Sequence, residues 1–200
     1  MAFGFSSLSN LLKKDALPVQ SNTVIGVDVG SSSIKIVQLQ NKKGVATLDT
    51  YGELQLGPYG AVDIGRTTRL RIDKLIEAFV DILREAQAGS EEVVTAISYS
   101  SSFITLVSVP EKDPDKIAAM IPIEARKYVP VPLTEVVLDW YPVSIQVEGK
   151  GTRILLSAVH KEARERLHGM IEGAELREVG EEIELFSVIR SAVKQSDTTV

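Results

Sequence analysis

The stretch Ile25–Val37, with the sequence IGVDVGSSSIKIV, is the feature that most restricts the fold of this chain. Apolar residues alternate up to Asp28, small residues follow at 30–33, and apolar alternation resumes at Ile34. This pattern predicts a buried strand, a tight turn and a second strand that leaves the turn at once. Glycine and serine favour such a turn, because they permit tight backbone geometry and hydrogen-bond to nearby main-chain groups.

The turn and the acid before it also have the chemistry of a site for phosphate with magnesium. Asp28 supplies a carboxylate for a hydrated Mg²⁺, which prefers oxygen ligands and keeps its waters. Backbone and hydroxyl donors are available at Gly30, Ser31, Ser32 and Ser33. Lys35 is a further candidate for phosphate, although a solvated strand lysine explains it equally simply. An ordinary hairpin, in which the acid and the serines only shape the turn, explains the same residues.

Two better-known phosphate motifs do not fit this stretch. No Gly-Lys-Ser or Gly-Lys-Thr opens a helix after the first strand, so the stretch is not a Walker loop. The element that follows is a strand rather than a helix, which excludes a dinucleotide fingerprint. If this stretch binds phosphate, it therefore does so as a hairpin between two strands.

Composition disfavours several other classes of protein. The 200 residues include no cysteine and two histidines, so a disulfide framework, a cysteine nucleophile and histidine-based zinc chemistry lack support. A net charge of −5 argues against nucleic acid as a partner, since phosphate backbones bind basic surfaces. The sequence has no apolar run of about eighteen residues that would predict a membrane span. Without cysteine, the cytoplasm is the simplest compartment.

The rest of the chain alternates strands with helices. Apolar spacing predicts strands at 45–56, 92–98, 103–109, 136–147, 153–159 and 176–183, and helices at 71–87, 161–173 and 185–194. A helix that begins at Asp113 contains Pro122, which should kink or split it, and an extended segment is predicted at Val129–Pro132. Asp63-Ile64-Gly65 is interpreted as a turn. Residues 1–22 are expected to be a flexible segment, with a short amphipathic helix as the alternative.

Several of these segments together resemble one known family. In chain order they are IGVDVGSSS at 25–33, EARKYVPVP at 124–132, EVVLDW at 135–140, LLSAV at 155–159 and EIELF at 182–186. These segments resemble the PilM family of type IV pilus assembly proteins, actin-like relatives of the division protein FtsA. The resemblance runs from about Thr23 to the end of the chain. Its middle section separates the PilM family from actin, sugar kinases and Hsp70.

The resemblance implies an α/β fold of the actin-like (RNase H-like) class. Residues 23–100 and 175–200 would form subdomain 1A, and residues 101–174 would form an inserted subdomain 1C of the FtsA and PilM type. The second half of such a fold, with another hairpin and an adenosine loop, is expected to be absent from this chain. The chain would then be a fragment of a longer protein or a natural half.

The resemblance also implies a nucleotide site in the complete protein. ATP and Mg²⁺ would bind in a cleft, with Asp28 acting on the metal through water. The residues expected at the phosphates are Gly30, Ser31, Ser32, Ser33 and Lys35. Turnover would be slow or incidental, because the implied role is conformational coupling in a cytoplasmic scaffold.

A partner site is implied as well. A short cytoplasmic tail of an inner-membrane pilus protein, PilN in the family, would bind a groove between the two subdomains. The residues expected on one wall of this groove are Tyr128, Val129, Pro130 and Val131. The protein would contact the membrane only through partners and would associate with itself into a ring.

Other functions stay open on the sequence alone. An FtsA-like division protein shares the fold, as does a phosphotransferase that uses a carboxylate to activate a substrate hydroxyl. A nucleotide-free adaptor, in which the Asp28 hairpin is only structural, is a third possibility. Rapid substrate-dependent ATP consumption would favour the enzyme, and failure to retain ATP would favour the adaptor.

Overall fold

The computed structural model describes residues 21–143 and 151–193, which divide into two compact units. The first, here called the five-stranded unit, comprises residues 21–99 and 166–193. The second, the three-stranded unit, comprises residues 100–143 and 151–165. Residues 1–20, most of the segment expected to be flexible, lie outside the described residues. In the part of the chain that the structure describes, no helix is long and apolar enough to cross a membrane.

The sheet of the five-stranded unit has the spatial order β3-β2-β1-β4-β8. Its strands are β1 (Thr23–Val29), β2 (Ser33–Lys42), β3 (Val45–Gln55), β4 (Glu92–Ile97) and β8 (Arg177–Ile183). The first three strands pair antiparallel, whereas β4 pairs in parallel with both β1 and β8. The predicted order of three strands, a helix and a fourth strand is confirmed.

Helix α1 (Ile72–Glu85) covers one side of this sheet. It buries Leu75, Ala78, Phe79 and Ile82, which have the i, i+3, i+4, i+7 spacing of one helix face. Helix α3 (Lys161–Gly173) adds Met170 and Ile171 to the same core. The strands contribute alternate residues to it, among them Ile25, Val27, Ile34, Ile36 and Val93.

The other side of the sheet is more open. Residues on that side of the central strands are partly or fully exposed, namely Gly26, Asp28, Lys35, Val37, Val94 and Ala96. Helix α4 (Glu184–Ala192) follows β8 directly, with Ser187 beside this side of the sheet. The predicted phosphate hairpin therefore presents Asp28 to an accessible surface rather than to the core.

The three-stranded unit is an antiparallel sheet in the order β5-β7-β6, with one helix packed on it. The elements are β5 (Ser102–Val109), α2 (Pro114–Ala125), β6 (Val136–Val143) and β7 (Thr152–His160). The Asp113 side chain caps α2 by accepting the Asp115 amide at 3.0 Å. The helix runs unbroken through Pro122, because a proline in the last turn removes only the hydrogen bond to Ala118.

The two edges of this sheet differ in their backbone donors. On β6 the Asp139 side chain accepts the Trp140 amide at 2.9 Å, so that amide does not point towards β7. Pro142 follows two residues later, with the same orientation and without an N–H group. The outer edge of β6 is therefore closed to further pairing at these positions. The opposite edge, β5, has the sequence SFITLVSV, without charge or proline.

Candidate functional site

The hairpin between β1 and β2 closes in a tight turn. The Gly30 amide donates to the Ser33 carbonyl at 2.9 Å, which leaves Ser31 and Ser32 at the tip. The carbonyl groups of Ser31 and Ser32 accept the amides of Thr68 and Leu56 at 2.9 and 2.8 Å. Both tip residues are thereby fixed to neighbouring segments of the same unit.

The turn leaves two backbone donors available. Within the described residues, nothing accepts from the amides of Ser31 and Ser32, whereas the Gly30 amide is used by the turn itself. Ser33 is buried, and its hydroxyl accepts a hydrogen bond from the Lys35 ammonium at 3.3 Å. Of the predicted phosphate donors, Ser31 and Ser32 are thus the ones whose amides are free. Gly30 contributes shape, since a Cβ there would lie 3.3 Å from the Ser33 carbonyl oxygen.

Asp28 belongs to a row of residues that crosses all five strands. It lies opposite Lys35 on β2 and Ala96 on β4. Lys35 in turn lies opposite Glu53 on β3, and Ala96 lies opposite Glu182 on β8. Because directly paired residues project on the same side of a sheet, the row reads Glu53, Lys35, Asp28, Ala96, Glu182 on the open side. Ala96 is its smallest member and the one without charge.

A cleft of about 370 Å³ lies over the centre of this row. Its walls and floor include Gly26, Asp28, Val37, Val94, Ala96 and Ser187. By strand order, the β2 residues form one wall, β8 and α4 form the other, and β1 and β4 form the floor between them. Asp28 therefore lies at the floor of an open cleft, one residue before the strand ends.

The environment of Asp28 favours a bound cation. Burial raises the pKa of the Asp28 carboxyl above its ordinary value, Lys35 lowers it and Glu184 raises it again. Within the described residues this half-buried carboxylate has no hydrogen-bond or ion-pair partner. Partial burial disfavours the ionised carboxylate, and a bound cation would offset that cost.

Three residues beside Asp28, namely Glu182, Glu184 and Ser187, were not predicted from the sequence to belong to this site. Glu182 is buried, accepts the Ser187 hydroxyl at 2.5 Å and contacts the Arg190 guanidinium through both oxygens. Glu184 accepts the Tyr99 amide at 2.6 Å, which ties the start of α4 to the end of β4. The EIELF segment was recognised only as a family motif, since its place beside Asp28 depends on the parallel pairing of β8 with β4.

The residues present fit a magnesium–phosphate group better than a metal held by protein alone. The described residues contain no group of three or more acidic or histidine side chains that would hold a metal directly. A single carboxylate suits Mg²⁺, which keeps several waters and takes other ligands from phosphate. The free amides of Ser31 and Ser32 suit phosphate oxygens, as in other backbone anion sites.

The predicted partner residues after α2 separate into two pairs. Val129 is buried and Val131 partly buried, and both join the core of the three-stranded unit. Tyr128 is 43% exposed and Pro130 is also exposed, so these two are available to a partner. The amides of Tyr128 and Val129 donate to the Ala125 carbonyl at 3.0 and 2.8 Å. The helix thus ends in hydrogen-bonded turns over 126–128, and within the predicted extended segment Pro132 has the extended angles φ −55° and ψ 134°.

The smaller motif at Asp63-Ile64-Gly65 is the turn that the sequence predicted. The Arg66 amide donates to the Asp63 carbonyl at 3.2 Å, and Gly65 has a φ of 81°. This motif contributes nothing to the cleft beside Asp28.

The mixed five-stranded sheet and its α/β layering confirm the predicted actin-like fold class. A model of the family described as type IV pilus assembly protein PilM matches residues 26–198. The chain belongs to this family.

Two solved structures show the same fold. PilM in the "PilM-PilN type IV pilus biogenesis complex" aligns with a TM-score of 0.70 and 23% identity. The alignment covers 86% of this chain and 50% of that chain, so the present chain spans about half the length of that relative. The cytoplasmic domain of EpsL, an inner-membrane component of the type II secretion system of Vibrio cholerae, aligns with a TM-score of 0.56 and 11% identity. That alignment covers 82% of this chain and 58% of the EpsL domain.

Proposed function

We propose that this chain is the nucleotide-binding half of a PilM-like scaffold, which acts on the cytoplasmic side of the type IV pilus assembly platform. The observation that carries the proposal is the hairpin. Its half-buried Asp28 carboxylate has no partner within the described residues, and the free amides of Ser31 and Ser32 lie at the adjacent turn. These are the groups that a metal-bound phosphate needs at one wall of a cleft.

Each residue has a distinct role in this proposal. Asp28 accepts hydrogen bonds from the waters of a Mg²⁺ ion, and the ion neutralises the phosphate charge when it is bound. The amides of Ser31 and Ser32 donate to phosphate oxygens, and Gly30 keeps the turn tight enough to present them. Lys35, held by Ser33, adds positive charge beside the phosphates without forming an ion pair with Asp28. The nucleotide is ATP, and its hydrolysis is slow because its function is to set the conformation of the scaffold.

The affinity of this chain alone for ATP is expected to be low. The chain spans about half of the PilM chain to which it is similar, so we expect it to supply only part of the contacts of a nucleotide site. Each tenfold loss in affinity corresponds to about 1.4 kcal/mol of binding free energy. The loss of about half the contacts should therefore raise the dissociation constant by several powers of ten.

Titration of the 200-residue chain with MgATP, followed by amide chemical shifts, tests the nucleotide site. We expect weak binding with shifts at Ser31 and Ser32 that require Mg²⁺. Asp28→Ala should abolish the magnesium dependence without unfolding the chain, whereas Asp63→Ala, in the exposed turn, should leave it unchanged. Micromolar MgATP binding would contradict the expectation that this chain supplies only part of the nucleotide site. If the amide shifts of the hairpin did not change at millimolar MgATP, the nucleotide-free adaptor would be favoured.

The proposed scaffold also binds a short cytoplasmic tail of a PilN-like membrane protein. A PilM relative has been solved in a PilM–PilN complex, which supports a partner of this kind. The exposed Tyr128 and Pro130 at the end of α2 provide an apolar surface for an extended peptide. The scaffold would reach the membrane through this tail and would assemble into a ring with further copies.

A peptide of the partner tail, titrated into the chain, tests this second site. Amide shifts should concentrate between Arg126 and Val131 and should occur without nucleotide. Tyr128→Ser should weaken binding, while Tyr99→Ser, at a tyrosine that is 53% exposed, should not. Shifts confined to the Asp28 hairpin would contradict the proposed partner surface.

A further inference from the structure

We infer that Ala96 determines how much room a metal-bound phosphate has beside Asp28, and that it acts as a size-selecting position of the site. The inference rests on the proposed nucleotide function and concerns a residue that has no polar chemistry of its own. Its basis is the position of Ala96 in the row of paired residues and the shape of the cleft above it.

Ala96 lies between the two carboxylates of the row. Neighbouring strands are about 4.8 Å apart, so Asp28 on β1 and Glu182 on β8 are separated by roughly 10 Å of backbone. The strand between them contributes only the Ala96 methyl group at this level. The space above that methyl group is open and belongs to the cleft.

The far wall of this gap is fixed. Glu182 is 6% exposed and is held by the Ser187 hydroxyl at 2.5 Å and by the Arg190 guanidinium. Because both oxygens of Glu182 contact Arg190, the side chain is neutralised and is not free to move towards a ligand. The width of the gap therefore depends on the residue at position 96.

Gly26 is the other small residue of the cleft floor, but there is no open space beside it for a larger side chain. A Cβ built on Gly26 would lie 3.2 Å from a methyl carbon of Val37, so that space is already filled. Ala96 is partly exposed to the cleft, and a longer side chain there would extend into open space. Enlarging residue 96 therefore fills the cleft, whereas enlarging residue 26 disturbs the packing against β2.

The size of the ligand makes this gap critical. Magnesium binds oxygen at about 2.1 Å and retains its waters, so the hydrated ion is roughly 7 Å across. Such an ion fits above an alanine between strands β1 and β8. A leucine at position 96 would occupy the same volume and push the hydrated ion away from Asp28.

Four variants measured with MgATP test the inference: Ala96→Ser, Ala96→Val, Ala96→Leu and, as a control on the exposed face of β3, Ala46→Leu. The readouts are the amide shifts of Ser31 and Ser32 and the melting temperature of the ligand-free chain. We expect Ala96→Leu to weaken binding at least about tenfold, Ala96→Val to weaken it less, and Ala96→Ser and Ala46→Leu to leave it within about threefold. Ala96→Val keeps the test valid should the leucine variant fail to fold.

The outcomes separate the inference from the proposed function. Unchanged MgATP binding by a folded Ala96→Leu chain would overturn the inference and leave the nucleotide site intact. A wild-type chain whose hairpin does not respond to MgATP would overturn the proposed function and the inference with it. Equal losses in Ala96→Ser and Ala96→Leu would also contradict a role for size.

Discussion

Lys35 lies directly opposite Asp28 in the β1–β2 hairpin, but its ammonium group donates to the Ser33 hydroxyl at 3.3 Å. The Lys35 ammonium group therefore contacts a residue of its own strand and does not form an ion pair with Asp28 across the hairpin. Asp28 is left half-buried with a raised pKa, a state in which the ionised carboxylate destabilises the fold. A carboxylate that binds a cation is expected to destabilise the free chain in this way, because the cation offsets the cost only when it is bound.

Asp28→Asn should raise the melting temperature at neutral pH. A raised pKa means that the folded chain binds the proton more tightly than the unfolded chain, so stability falls as the pH rises through the folded pKa. The stabilisation by asparagine should therefore be present near pH 7 and vanish below the unfolded value of 3.8. Thermal unfolding as a function of pH measures it, with Asp63→Asn in the exposed turn as the control. A lower melting temperature for Asp28→Asn than for wild type at pH 7 would contradict the conclusion that the ionised Asp28 destabilises the fold.

Gln38→Leu should destabilise the five-stranded unit by about 1–3 kcal/mol, the usual cost of leaving one buried polar group unpaired. The buried Gln38 side chain accepts the amides of Gly89 and Ser90 at 2.9 and 3.0 Å and donates to Asp49 at 2.6 Å. Leucine fills the space but leaves the buried Ser90 amide without an acceptor, whereas the exposed Gly89 amide can donate to water. Urea unfolding gives the free energy, and Gln55→Leu, whose side chain bonds only to the exposed Glu53, should change it little.

Gly57→Ala should destabilise the chain by about 1–3 kcal/mol, the usual cost of overpacking. A Cβ at Gly57 would overlap the carbonyl oxygen of Asp63 and lie 2.9 Å from that of Val62. Both neighbours are backbone atoms of a closed loop, so they cannot rotate away. Gly89→Ala is the matched control, because a Cβ there meets nothing within 4 Å. Equal unfolding midpoints for the two variants would show that the loop adjusts freely.

Tyr59 should lose its proton at a higher pH than a free tyrosine, and the stability of the fold should fall as it does so. Burial, the hydrogen bond to Asp81 at 2.7 Å and the charge of Asp81 raise the pKa of Tyr59 to about 12. Its contribution to stability should be complete below the unfolded value of 10 and should be lost as the pH approaches 12. Difference absorbance at 295 nm between wild type and Tyr59→Phe isolates this tyrosine. Asp81→Asn should lower its pKa, and an unchanged titration would contradict the contact.

Local sequence patterns predicted the hairpin and the first helix well. Alternation around Asp28 and the four buried positions of α1 depend on neighbours within a few residues, and such periodicity is visible in a single sequence. The row that joins Asp28 to Ala96 and Glu182 depends on parallel pairing between strands far apart in the chain. Nothing in the local pattern of either residue indicates that partner, so the row was found only in the structure.

The end of α2 shows what its prolines do to the backbone. Pro130 restricts the conformation of Val129, which precedes it, but it does not prevent the Val129 amide from bonding back to Ala125. The hydrogen-bonded turns therefore meet the predicted extended segment at Val129 without a gap. Pro122, likewise, costs one hydrogen bond near the helix end and leaves the helix continuous.

The closed outer edge of β6 gives the three-stranded sheet a single direction of growth. With the Trp140 amide bound by Asp139 and no N–H at Pro142, an incoming strand finds no regular ladder of donors on that flank. On the opposite flank, no strand of the described residues pairs with the outer edge of the uncharged β5. Each unit therefore offers one edge for strand pairing, so lateral association through this sheet would stop at a pair of units.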